Sequence, residues 1–211
     1  MTTHGPSQIY DQFANEYDAW FEKHPNLYQS ELLAMKQAIP QHQTGIEIGV
    51  GSGRFAEPLN IKYGVEPSEN MAVLARQRGI KVFDAVAENL PIEDESYDCA
   101  TMVTTVCFLD DIPKAFSEAH RILKPKGTFI VGLIDRNSDL GKKYEWQKST
   151  NKFYRDAHFH STEEITRLLA DSGFGNFSYR QTVFHPEKNK VEQPLVGYGT
   201  GSFVVIKAWK V

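Results

Sequence analysis

The run Gly45-Ile46-Glu47-Ile48-Gly49-Val50-Gly51-Ser52-Gly53-Arg54 constrains this chain more than any other stretch. A short apolar strand runs into three glycines at alternate positions, and a second apolar stretch then ends on Val65-Glu66-Pro67. Such a turn bends sharply and lets a ligand approach the backbone without meeting a Cβ. A carboxylate at the tip of the next strand is placed to accept both hydroxyls of a ribose. Together these features point to a nucleoside-containing ligand at the carboxyl ends of parallel strands. The alternative is a tight strand-to-helix turn with no ligand.

The spacing narrows the choice of ligand. The dinucleotide fingerprint G-x-G-x-x-G, counted from Gly49, puts its third glycine at position 54. That position is Arg54, and the third glycine arrives early, at Gly53. Glu47 also sets a negative charge where a pyrophosphate would lie. Both observations disfavour an NAD-dependent oxidoreductase.

At 211 residues the chain suits one α/β domain with a sizeable core. Its net charge of −4 and the lack of a basic run argue against a polyanionic partner, so no nucleic acid is expected. The opening, Met1 to Pro6, is polar and lacks a signal-peptide core, and no segment has the length of a membrane span. Cys99 and Cys107 lie in or beside one strand, which makes a disulfide unfavourable and a cytoplasmic location the expectation. Neither cysteine has metal-ligand spacing, so no metal is expected.

Strands and helices alternate, which predicts a parallel sheet with helices on both faces. An aromatic-rich helix is expected from Ile9 to Phe21, and a second from about Ser30 to Pro40. Strands are expected at Gly45 to Gly49, Ile61 to Glu66, Ile80 to Asp84, Tyr97 to Thr105 and Gly127 to Ile134. Ser68 caps a helix that turns Met71, Leu74 and Ala75 inward and stops at Gly79. Asp111, followed by Pro113, opens another helix, and Ser161 with Glu164 forms a capping box for a third. The last two strands, Phe177 to Phe184 and Ser202 to Trp209, have no helix between them and should pair antiparallel.

The pattern Glu47-x-Gly49-x-Gly51-x-Gly53 resembles motif I of the class I S-adenosylmethionine (SAM) methyltransferases. Asn15 to Phe21, Ala87-Glu88-Asn89-Leu90-Pro91, Glu95-Ser96-Tyr97-Asp98 and Arg121 to Gly127 resemble, in order, further motifs of one small-molecule group. That group includes the ubiquinone/menaquinone-biosynthesis methyltransferases. The resemblance implies a three-layer Rossmann-like fold with a seven-stranded mixed sheet, order 3-2-1-4-5-7-6, last strand antiparallel. It implies a single domain over 1–211, with residues 1–40 as a helical lid and 135–160 as an insertion into the acceptor pocket. The cofactor is expected to be SAM, with S-adenosylhomocysteine (SAH) as product. Its expected contacts are Tyr17, Glu47, Gly49, Val50, Gly51, Gly53, Glu66, Pro67, Met71, Ala87, Glu88, Leu90 and Thr104. Relatives often carry Asp before the alanine that meets adenine, whereas this chain has Val86. Arg121 and Lys124 fall in a last helical turn, where they favour the dipole and take no part in chemistry.

Methyl transfer from a sulfonium needs alignment and dryness more than covalent help. The acceptor pocket is expected among Tyr10, Phe13, Tyr17, Trp20, Thr105, Cys107, Asp135, Arg136, Tyr144, Trp146, Tyr154, His158 and His160. His158, His160 and Asp135 are the weak candidates for a general base, which is needed only if the acceptor must lose a proton. Thr104-Thr105-Val106-Cys107 stands where DNA and protein N-methyltransferases carry D/N-P-P-Y/F, which leaves a small-molecule acceptor. A monomer or homodimer is expected. The competing reading is a SAM-binding scaffold or sensor without turnover.

Overall fold

A strand that is apolar on both faces must be covered on both. In the computed structural model, which describes residues 7–41 and 44–211, β1 (Gly45–Ile48) is buried at every position. The polar opening Met1 to Pro6 lies outside the described residues. Three helices precede β1: α1 (Ser7–Gln12), α2 (Ala14–Lys23) and α3 (Pro25–Ala38). Then follow β2 (Tyr63–Val65), α4 (Glu69–Gln77), β3 (Lys81–Phe83), β4 (Tyr97–Val103), α5 (Ile112–Ile122) and β5 (Leu123–Ile134). The chain ends with α6 (Asp139–Gln147), α7 (Thr162–Asp171), β6 (Phe174–Thr182), β7 (Leu195–Val196) and β8 (Phe203–Lys210).

The sheet order is β3-β2-β1-β4-β5-β8-β6-β7, with β1 to β5 parallel and β8 antiparallel to both β5 and β6. This is the α/β Rossmann-like arrangement expected, with one strand more. The eighth strand is two exposed residues, Leu195 and Val196, paired to Gln181 and Arg180. So short an element has no alternation to betray it. Side chains alternate between the faces: Phe129, Val131, Val204 and Ile206 join α5 and α7 in one apolar cluster. Ile130, Ile134, Phe203 and Val205 join α3 and α4 in the other.

Several local expectations shift. The helix expected over Ile9 to Phe21 breaks at Phe13 (φ −120°, ψ 27°). Its halves dock on different partners: Asp11 accepts from Ser68 Oγ and the Asn70 amide, while Asp18 pairs with Arg54 and Arg78. The next helix starts at Pro25 rather than near Ser30, because proline fits a first turn whose N–H is unbonded anyway. Its face Leu32, Ala34, Met35 and Ala38 packs on the sheet, so α3 is core and not lid. Between β1 and β2 the chain makes turns instead of a regular helix. Pro58 has no N–H to offer Arg54 O, which accepts from Tyr28 Oη instead.

Ser68 and Asp111 cap α4 and α5 as expected, accepting from Met71 N and Lys114 N. At α7 half of the capping box forms: Ser161 Oγ accepts from Glu164 N at 3.2 Å. The Glu164 carboxylate turns away to His160 and Arg136. Arg121 does not serve its own helix end; it donates to the carbonyls of Leu90 and Ile92 and holds that loop.

Two of the three turn glycines are required by the protein itself. A Cβ on Gly49 (φ +73°) would sit 2.4 Å from Thr105 Cγ2, and one on Gly53 (φ +86°) 2.6 Å from Ile80 Cδ1. Gly49→Ala should therefore destabilise the protein by about 2–4 kcal/mol, combining a strained φ with a clash. Gly79→Ala, at φ +80° with nothing within 4 Å, should cost about 1 kcal/mol. Urea unfolding of the two variants checks the difference.

Candidate functional site

The strand ends, the glycine turn and the two N-terminal helices enclose a cleft of about 1070 Å³, its mouth included. Its floor is Glu47, Gly49, Val50 and Gly51; one side is Glu66, Pro67 and Met71, another Ala87 and Glu88, and Thr104 closes the end of β4. Tyr10 and Tyr17 cover it from α1 and α2. Eleven of the thirteen expected cofactor contacts thus share one cavity, with Gly53 and Leu90 outside it.

Gly53 lies behind the wall, packed on Ile80 and Ala75. Leu90 is buried in the core, and its amide donates to Glu118 Oε2 at 2.8 Å, so it serves packing and loop closure. Glu88 reaches the cleft, yet its carboxylate accepts from the amides of Asp110 and Asp111 and thereby anchors the loop after β4. That loop adds Phe108, Leu109 and Asp110 to the lining, which the sequence does not advertise because they follow no motif.

Glu66 is tied down at both oxygens. Oε2 accepts from Gly51 N at 2.9 Å and Oε1 from Ser68 N at 3.0 Å. Each oxygen keeps lone-pair capacity for one further donor. A strand-tip carboxylate thus also holds the turn to the cap of α4, a structural duty absent from the motif. Burial pushes its pKa up to about 7, opposed by those two amides and helped by Asp11.

Glu47 differs. It is 2% exposed, and its Oε2 has no hydrogen-bond partner among the described residues. Burial, with Glu66 second, pushes its carboxyl well above the usual carboxylate range. An orphaned buried carboxylate oxygen beside an open floor fits a cationic ligand group. At Gly51 (φ +53°) a Cβ meets Met71 Cε alone, at 3.3 Å, and otherwise points into free space. The middle glycine is thus spared a side chain for whatever fills the cleft. Val86 is 48% exposed at this rim and offers no side-chain acceptor for an adenine amine. Two buried carboxyls with acceptor capacity to spare thus line one cleft with a backbone floor.

The cover is fastened. Asp18 receives Arg54 Nη2 at 2.6 Å and Arg78 Nη2 at 2.9 Å. Burial opposes its ionisation, but hydrogen bonds from Arg54, Ser52 and Arg78 hold its pKa at about 2. Tyr10 Oη donates to Phe153 O, and Lys152 Nζ lies 4.0 Å from the Phe13 ring centroid. Burial raises the Tyr17 phenol, a shift that the Thr104 side chain tempers. Thr104 itself holds φ +51°, a conformation uncommon outside glycine. It also lines a smaller cavity behind, with Cys107, Tyr154, Phe159 and His160.

The weak base candidates fare unevenly. Asp135 is engaged at both oxygens, by Asn137 N and by the amide and hydroxyl of Thr162, so it braces the start of α7. His158 is exposed, with its amide on Cys107 O. His160 borders the smaller cavity but is held by Glu164 Oε1 at 2.9 Å. Trp146 is 82% exposed, Trp20 stacks on His24, and Arg136 pairs with Glu164; these stand off the pocket. Cys99 and Cys107 are buried and unpaired. No helix among the described residues is long and apolar enough to cross a membrane.

Comparison with known proteins agrees with this geometry. Residues 46–131 match the family model described as a methyltransferase domain. A crystal structure from Thermotoga maritima is 51% identical, with a TM-score of 0.94 over 98% of this chain and 100% of that one. It is described as a SAM-dependent methyltransferase, possible histamine N-methyltransferase. An uncharacterised protein of Methanocaldococcus jannaschii is 46% identical over 96% of this chain and 99% of its own length. The 2-phytyl-1,4-naphtoquinone methyltransferase of Nostoc punctiforme is 28% identical over 72% of this chain and 74% of its own.

The raised Glu66 carboxyl sets a pH dependence. Between its ordinary value of 4.5 and about 7, the folded empty protein holds a proton that the unfolded chain has released. Its stability therefore falls as pH rises through that window, by on the order of 1–3 kcal/mol. A ribose diol favours the ionised carboxylate, so SAH affinity should rise from pH 5.5 and level off above about 7. Calorimetry across that range should show the rise, and Glu66→Gln should flatten it and weaken binding about tenfold or more.

Proposed function

The chain belongs to the class I SAM-dependent methyltransferases, and from that premise we propose that it methylates a small-molecule acceptor by in-line displacement. SAM is the cofactor, and when bound it supplies an electrophilic methyl group on a sulfonium. In this reading Glu66 takes both ribose hydroxyls beside its bonds to Gly51 and Ser68. Glu47 pairs its free oxygen with the ammonium of the methionine end. Gly49, Val50 and Gly51 give the backbone floor, and Pro67 and Met71 pack beside the ribose. Ala87, next to the exposed Val86, meets the adenine edge, so adenine recognition falls to backbone groups. Tyr17 and Thr104 close over the sulfonium side.

The observation that carries this reading is the buried Glu47, which lines a cleft whose middle glycine leaves room for a ligand and whose Oε2 has no partner among the described residues. A carboxylate kept there without a partner costs stability and gains nothing unless a cation arrives. The chain's remaining work is to align the acceptor behind the methyl group and exclude water. A site covered by helices suits a small acceptor better than a polymer. The free thiols of Cys99 and Cys107 accord with a cytoplasmic enzyme. Conversion of labelled SAM to SAH, run with amines, phenols, thiols and quinone precursors, tests the proposal. Turnover with one acceptor class is expected, with SAM bound far more tightly than NAD. SAM binding without turnover on any acceptor would favour the scaffold.

We read α1 and α2 as the lid of this site and residues 135–160 as the rear wall of its acceptor pocket. The lid is held to the glycine turn by Asp18, which pairs with Arg54 just after that turn and with Arg78, itself bonded to the Ser52 carbonyl. Asp18→Ala should leave a folded protein with SAM affinity reduced about tenfold and methyl transfer reduced further, because water enters. Calorimetry and initial rates on the same variant separate the two effects.

A further inference from the structure

Midway along α3 a carboxyl group is buried with nothing to satisfy it. Glu31 is 5% exposed, and among the described residues it makes no hydrogen bond or ion pair; burial alone acts on it. Its inward neighbours on the helix are apolar: Leu32, Ala34, Met35 and Ala38. Packing would be served better by leucine, since an unpaired buried acid costs stability.

Its surroundings are aromatic: the buried face of α3 belongs to the same cluster as Tyr17, Tyr144 and Tyr154. The negative charge of Glu31 is felt by the phenols of Tyr17 in α2, Tyr144 in α6 and Tyr154 beyond it. Tyr144 and Tyr154 stack at 5.0 Å, and Tyr154 also stacks on Phe108 at 6.2 Å. Tyr17 lines the cofactor cleft, Tyr154 lines the smaller cavity, and Thr104 borders both. The level along the sheet agrees as well. Met35, one turn nearer the C-terminus of α3, lies 3.2 Å from where a Cβ on Gly132 would stand, close to the end of β5. Helix α3 leads down to the start of β1, so Glu31 lies higher, toward the strand ends that carry the glycine turn.

We infer that Glu31 is the acceptor-binding base of this site and that the acceptor is a primary or secondary amine on an apolar frame, held among Tyr17, Tyr144 and Tyr154. The inference rests on the methyl-transfer reading above. A carboxylate grips an ammonium directly, and aromatic faces stabilise the same positive charge. Burial raises the Glu31 carboxyl to about 8, near the range in which amines exchange protons. A free amine meeting the acid, or an ammonium meeting the carboxylate, gives one pair sharing one proton. With that proton on Glu31, the nitrogen lone pair is free to form the N–C bond. The C–S bond breaks as it forms, and its electron pair stays on sulfur as a thioether. The product is the methylated ammonium, which loses its extra proton to solvent on release.

The test uses calorimetry on the full chain saturated with SAH, titrated with 2-phenylethylamine, tryptamine and histamine, and with 2-phenylethanol as control. At least one amine should bind about tenfold or more tighter than the alcohol, and Glu31→Gln should lose about tenfold or more of that affinity. SAH affinity should stay within about threefold in the variant. Glu31→Leu should melt at a higher temperature than the parent while losing the amine, a trade that a structural acid would not show. No amine binding by the SAH-loaded parent, undiminished amine binding by Glu31→Gln, or a lower melting temperature for Glu31→Leu would each overturn the assignment. A parent that binds no SAH would instead remove the methyl-transfer reading on which it stands.

Discussion

The site depends on one carboxylate gripping two backbone amides. Glu66 accepts from Gly51 in the turn and from Ser68 at the cap of α4, so it joins two loops that the sheet alone leaves separate. Without it the turn would have three positive-φ glycines and little to choose among their conformations. The same residue lines the cleft. Shape and chemistry therefore come from a single side chain, and a change at Glu66 disturbs both together.

Much of this was legible in the chain. The alternation of strands and helices predicted a parallel sheet, because apolar runs bounded by glycine and proline need no tertiary knowledge to be read, while the strand order came with the family resemblance. Ser68 and Asp111 announced their helices through capping chemistry that is local. Glu47, Gly49, Val50 and Gly51, with Glu66 and Pro67, follow from motif spacing, and they do meet in one cavity. What escaped was decided by long-range partners. Leu90 carries the right motif but is buried in the core, its amide on Glu118, and Glu88 reaches the cleft with its carboxylate engaged by the amides of Asp110 and Asp111. Asp135 looked free and is claimed by Thr162. Glu31 lies in no motif, and a glutamate in a helix is ordinarily a solvated one; its isolation emerges only once α3 lies on the sheet.

Three buried carboxyls, Glu31, Glu47 and Glu66, share a pattern that a structural protein would avoid. All three are pushed upward chiefly by burial, and in no case does a cation of the protein answer them. By contrast Asp18, with two arginines, is held low and serves attachment. Company thus separates these acids: Asp18, with its arginines, fastens α2 to the glycine turn, whereas Glu47 and Glu66, with none, line the cleft.

The two-residue β7 has a consequence for the protein's behaviour in a crowded solution. A nine-residue β6 left bare would offer a neighbouring chain a long row of unsatisfied amides and carbonyls. Leu195 and Val196 occupy part of that row, and Gly197 and Gly199, at φ +97° and +101°, then turn the chain away. The opposite rim, β3, is three residues long and begins with an exposed lysine. Both margins are thus blunted, β3 by its length and charge and β6 by the short strand laid over its C-terminal residues.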